Sequence, residues 1–111
     1  MDFTSRFLND IEVITVDAAR IDAAVAIQFK DRMRAQMAHA RGRIILDLSR
    51  VSFIDSSGLG AIVAVMKLMP PEAKLELAGL TEPVDKVFSM TRMDSIFSIH
   101  ASAESATGFV T

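Results

Sequence analysis

Ile44-Ile45-Leu46-Asp47-Leu48 is a near-continuous apolar run. Such a run is typical of a strand covered on both faces by helices, and so of a central strand. Shortly after it, Asp55-Ser56-Ser57-Gly58-Leu59-Gly60 leads into residues 59–69, which are apolar almost all round apart from Lys67 and end at Pro70-Pro71. That stretch reads as a helix with a clear stop. A buried strand, a polar turn and an apolar helix in this order point to an α/β layer arrangement.

The remaining elements extend the pattern. Ile11, Val13, Ile14 and Val16 mark a strand, and Asp22 is the expected cap of a following helix. Val25, Phe29, Met33 and Met37 recur every four residues, so that helix is amphipathic and is expected to end near Ala40, before Gly42. Leu75 and Leu77 alternate with Lys74 and Glu76, as in a shorter strand with one more polar face. Thr81 or Glu82 is expected to cap a helix starting at Pro83 and burying Val84, Val87 and Phe88. Ile96, Phe97 and Ile99 suggest a last short strand. Ser102 caps a modest C-terminal helix that packs Ala103, Ala106 and Phe109 inward. An N-terminal strand over residues 3–8 precedes the series. The alternation argues for helices on a largely parallel sheet within one domain, residues 1–111.

Several function classes are disfavoured by what the chain carries. With no cysteine, no disulfide framework, thiol nucleophile or cysteine zinc site is available, which suits a cytoplasmic setting. The longest apolar run falls far short of the roughly 18 residues of a membrane span, so no membrane insertion is expected. A net charge of -2 and the absence of Tyr and Trp argue against direct nucleic-acid binding.

The chemistry then centres on the turn. Asp and Ser are favoured helix caps, and Ser57 is expected to stand exposed at the positive end of a helix dipole, where a phosphate is tolerated. Gly58 and Gly60 are expected to let a partner's backbone approach. A serine hydrolase wants a glycine two residues before its nucleophile and a histidine base, but neither serine has that glycine and His39 and His100 sit at element ends. Asp47 and Asp55 resemble the strand-end carboxylates of receiver domains, yet Asp10 and Glu12 flank the start of a strand rather than its end. No Gly-Lys-Ser/Thr follows Gly58-Leu59-Gly60, so no phosphate-binding loop forms, and no cofactor is expected.

Taken together, residues 44–49 and Val51-Ser52-Phe53-Ile54-Asp55-Ser56-Ser57-Gly58-Leu59-Gly60 resemble the signature of STAS domains, and more narrowly of bacterial anti-sigma factor antagonists. Leu75-Glu76-Leu77-Ala78-Gly79-Leu80, Pro83-Val84 and Phe97-Ser98-Ile99 extend the likeness to roughly residues 11–106. The resemblance implies an α/β fold with a small mixed, largely parallel sheet of four to five strands and about four helices. It implies phosphorylation at Ser57, the second serine of the motif, with Asp22, Asp55, Ser56, Gly58, Leu59 and Gly60 meeting the partner and Ser56 acting as a cap or hydrogen-bond partner. It also implies a partner-switching cycle. The unphosphorylated protein captures an anti-sigma factor serine kinase and frees a sigma factor, the kinase phosphorylates it, and a serine phosphatase of the metal-dependent type restores it. Where many members have glycine before the first long helix, this chain has Ala18-Ala19-Arg20-Ile21-Asp22. A STAS subunit of a membrane transport complex, without a phosphoswitch, is the alternative the same resemblance allows.

Overall fold

The computed structural model of the chain describes residues 1–109. β1 (Asp2–Leu8) and β2 (Ile11–Asp17) form an antiparallel hairpin whose turn residues, Asn9 and Asp10, have φ of 50° and 64°. Asn and Asp are the non-glycine residues that most readily take this left-handed conformation, which matches the twist of the flanking strands. From β2 onward the sheet is parallel. β2 pairs with β4 (Gly42–Asp47), β4 with β6 (Ala73–Ala78) and β6 with β7 (Ile99–His100), giving the order β1-β2-β4-β6-β7. The apolar run of residues 44–48 therefore supplies the central strand.

Alternate residues of the strands enter two separate cores. Ile14, Val16, Ile44, Leu46, Leu75 and Leu77 pack with residues of α1 (Ala26–Gln36), α2 (Ser56–Lys67) and α3 (Glu82–Met90). Val13, Ile45 and Ala78 point to the other face and pack against Ala103 and Ala106 of the short α4 (Ala103–Thr107). The second face is thus covered only in part. α4 is capped as the sequence indicates: the Ser102 hydroxyl accepts from the Ser105 amide at 3.0 Å, the Ser105 hydroxyl accepts from the Ser102 amide, and Gly108 closes the helix with a φ of 71°.

Element boundaries differ from the sequence reading in physically instructive ways. Asp22 does not cap α1. Its carboxylate accepts from the Ala24 amide and its carbonyl from the Val25 amide, closing a turn that delays the helix to Ala26. α1 stops at Gln36, and the tighter bonds from Ala38 to Ala35 and Ala40 to Met37 carry the chain toward Gly42, whose φ is 71°. α2 begins three residues before the apolar stretch, because its cap is Asp55. Thr81 occupies the cap position of α3, but its hydroxyl donates to the Val51 carbonyl at 2.7 Å. The last strand covers Ile99–His100 alone. A 3-10 turn, Met93–Ser95, precedes it, Ile96 is exposed, and Phe97 packs edge-on to Phe88. Glu76, expected on a polar face, is buried. A two-residue parallel pair absent from the sequence reading, β3 (Arg20–Ile21) with β5 (Phe53–Ile54), joins the approach to α1 to the approach to α2.

Candidate functional site

The β5–α2 junction is built around one carboxylate. Asp55 has extended backbone angles, and one of its side-chain oxygens accepts from the Gly58 amide at 2.9 Å, satisfying a free N–H of the first helical turn. The other oxygen accepts from the Ala23 amide at 3.1 Å, reaching across to the turn before α1. The Asp55 amide in turn donates to the Ile21 carbonyl at 3.4 Å. Bonds from backbone N–H groups, that of Gly58 first and then Ala23 and Ser57, hold the carboxyl below the usual aspartate range. Asp55 therefore stays ionised, and one residue fixes both the start of α2 and the neighbouring turn.

Capping by Asp55 sets what the next five residues can do. Ser56 and Ser57 become the first two residues of α2, both exposed, and neither hydroxyl has a hydrogen-bond partner among the described residues. Ser56 is thus not the cap. Gly58 faces inward: a Cβ built there would lie 1.9 Å from the Ile21 carbonyl oxygen, so only glycine lets the helix start sit this close to β3. Leu59 is buried in the main core. Gly58 and Leu59, expected to meet a partner, are buried in the free protein and hold the junction together from inside. Gly60 returns to the surface, with open space around its missing side chain.

A family model describing the STAS domain matches residues 3–106. The chain belongs to the STAS domain family. BtrV of Bordetella bronchiseptica is 33% identical over 78% of this chain and 75% of its own. The anti-sigma-B factor antagonist of Bacillus subtilis is 30% identical over 86% of each chain. The anti-sigma factor antagonist SpoIIAA shares the fold. Its unphosphorylated form superposes with a TM-score of 0.72 at 23% identity, over 99% of this chain and 100% of SpoIIAA. Its phosphorylated form does so with a TM-score of 0.66 at 22% identity, over 96% and 97%.

Around the junction of this STAS domain the surface has a defined composition. Arg20 pairs with Asp22 at 3.2 Å, and its guanidinium stacks over the Phe53 ring at 4.1 Å from the centroid. The Ser52 and Phe53 amides both donate to the Ala19 carbonyl, fixing the ring's position. Phe53 and Ile54 then line a groove of about 410 Å³ with Glu82, Pro83, Lys86 and Val87 of α3. Asp22 and Asp55 lie on adjoining turns bridged by the Ala23 amide, so these two of the expected contact residues are brought together. Arg20 and Phe53 were missed in the sequence. Their only signal there is an aromatic residue two positions before a polar cap.

The buried polar groups Asp47 and Glu76 are engaged away from the junction. The Asp47 carboxylate is buried and accepts from the Thr15 hydroxyl at 3.2 Å and the Ser49 amide at 3.0 Å. Arg43 makes a two-pronged contact with Glu76, at 2.8 and 2.9 Å, and donates to the Ala106 carbonyl of α4. His100 reaches the same Glu76 carboxylate at 2.7 Å. Arg43, followed by His100, holds Glu76 down to about 2 against the cost of burial. No helix among the described residues is long and apolar enough to cross a membrane.

Proposed function

We propose that this protein is an anti-sigma factor antagonist acting in the cytoplasm, switched by phosphorylation of Ser57. In this reading the unphosphorylated form binds an anti-sigma factor serine kinase and releases a sigma factor, and a serine phosphatase of the metal-dependent type resets it. The carrying observation is the Ser57 hydroxyl. It is exposed and unengaged on the first turn of α2, beside a junction tied together by the Asp55 cap and closely packed at Gly58. The Bacillus subtilis relative's name gives the function class, and the SpoIIAA fold occurs in a phosphorylated form.

Phosphate at Ser57 adds about -1.5 to -2 charge next to an Asp55 carboxylate that is already ionised. The helix N-terminus offsets only about 0.3–1 kcal/mol of this at an exposed site. Exposure lets water solvate the phosphate in the free protein, so the fold stays as it is. The change is felt at the interface. There, like-charge juxtaposition against a kinase that already holds nucleotide phosphates costs several kcal/mol. About 5.5 kcal/mol turns a 99:1 population into 1:99, so one phosphate suffices without a rearrangement.

The test pairs Ser57→Ala with Ser57→Asp, using a purified anti-sigma factor serine kinase from the same organism. Ser57→Ala is expected to bind the kinase as the unmodified protein does and to resist phosphorylation, and Ser57→Asp to bind at least about tenfold more weakly. Mass spectrometry after incubation with ATP is expected to place the modification on Ser57. Equal affinity of the two variants, or modification of Ser56 in its place, overturns the reading. Co-purification with a transporter in place of a kinase favours the transport-subunit alternative.

A further inference from the structure

The outer edge of β1 is open. Among the described residues β1 ends the sheet with β2 as its only strand neighbour, and Asp2, Thr4, Ser5, Arg6 and Phe7 are exposed, Phe7 to 67%. Protein sheets guard such edges with short strands, bulges, proline, charged side chains (lysine above all) or a covering segment, and on β1 the charges are Asp2 and Arg6 alone. β1 runs seven residues in unbroken register with β2, from Asp2 opposite Asp17 to Leu8 opposite Ile11, and contains no Pro, Gly or Lys. Its free backbone groups form a ready template for another strand.

The side chains say which strand. Asp2, Thr4 and Arg6 lie on the sheet face shared with α4, whereas Phe3 lies on the α1 face and packs on Phe29. Asp2 faces Asp17, a like charge, and has no ion pair of its own among the described residues. Arg6 has only a loose, exposed contact with Glu104 at 3.6 Å. In an antiparallel two-fold pairing of β1 with itself, facing residues must share a sheet face, so the axis passes through a residue. Centred on Arg6, the pairing sets arginine against arginine. Centred on Ser5, it sets the Asp2 carboxylate against Leu8. Centred on Thr4, it sets Asp2 of each copy against Arg6 of the other, with Thr4 facing Thr4 and Phe3 facing Ser5.

We propose that β1 is a self-association surface on which a second copy of this chain adds antiparallel about Thr4, joining the two sheets edge to edge through backbone bonds and a reciprocal Asp2–Arg6 pair. The contact is a narrow strip, at the small end of protein interfaces, so the dimer is weak and appears as the concentration rises. It does not involve Ser57 and stands independently of the phosphorylation reading.

Sedimentation velocity over a concentration series tests this with two charge reversals, Asp2→Arg and Arg6→Asp, each checked for native circular dichroism. Each single variant places like charges at both ends of the strip and is expected to dimerise about tenfold more weakly than the parent. An equimolar mixture restores both pairs across the interface and is expected to form a heterodimer within a few-fold of parental strength. Glu104→Gln is expected to change nothing, which separates the intermolecular role of Arg6 from its contact with α4. A parent that stays monomeric to about 1 mM, single variants that dimerise as the parent does, or a mixture no tighter than its components overturns the proposal.

Discussion

Two polar clusters in this molecule, one beneath α4 and one at the β5–α2 junction, use charged groups to opposite ends. Beneath α4, Glu76 is consumed on all sides by Arg43 and His100, and Arg43 also takes the Ala106 carbonyl, so the cluster clamps β4, β6, β7 and α4 together. At the junction, Asp55 is likewise fully engaged, by the Gly58 and Ala23 amides, but the two residues that follow it keep free hydroxyls. The first cluster spends its polarity on stability, whereas the second holds a backbone still and displays what that backbone carries. Under the proposed switch, such a held display would let a partner meet Ser57 in one geometry with little ordering entropy to lose.

The largest effect that would break this comparison lies at Gly58. Gly58→Ala brings a Cβ to 1.9 Å from the Ile21 carbonyl, and the contact is backbone held in the β3–β5 pair, so it has no side-chain rotamer through which to escape. Overpacking against backbone is expected to cost about 3 kcal/mol or more in urea unfolding, even though alanine is the better helix former. A Gly58→Ala variant as stable as the parent would mean that the junction is soft, and that the display is not held from inside.

A smaller loss is expected at the clamp. Glu76→Gln removes the charge that binds Arg43 and His100, but Arg43 remains 38% exposed and regains water, so roughly 2 kcal/mol is expected rather than the larger cost of a fully buried orphan. The same interaction can be titrated. The Glu76 carboxyl falls from an ordinary 4.5 to about 2 on folding, so its contribution is full above pH 4.5 and fades as the pH falls through about 2. Unfolding at pH 7 and pH 3 is therefore expected to show the parent losing more stability than Glu76→Gln over that interval. Kinase binding at neutral pH is expected to be unchanged in the variant. A binding defect there would join the two clusters that the structure keeps apart.

How far the sequence could have shown this differs between the two clusters. Apolar periodicity exposed the central strand and the long helices, and the Ser102 and Ser105 cap of α4 was legible because capping is local. The clamp was not legible. Lys74-Leu75-Glu76-Leu77 alternates in the same way whether Glu76 faces water or a buried arginine, and Arg43 lies 33 residues away in the chain. At the junction, the motif's location was visible and its division of labour was not. A capping aspartate at Asp55 was legible because capping is local, but which of Gly58 and Gly60 faces inward depends on packing against Ile21, 37 residues from Gly58 in the chain. The β3–β5 pair, two residues long, is set by Ile21 and Ile54 meeting in the core rather than by any local preference.

Gly60 supplies the finest test of display against scaffold, because it is chemically identical to Gly58 and lies two residues along the same helix. A Cβ there meets nothing within 4 Å, so Gly60→Ala removes only the flexibility of an exposed helical glycine. The variant is expected to be stabilised by about 0.5–1 kcal/mol, visible as a higher urea midpoint with an unchanged slope. A gain in stability accompanied by weaker kinase binding would show a partner backbone pressing on the open site. A gain with binding intact would confine the display to Ser56 and Ser57. A loss of stability would show that the two glycines do not differ, and that the helix start is packed on its outer side as well as its inner one.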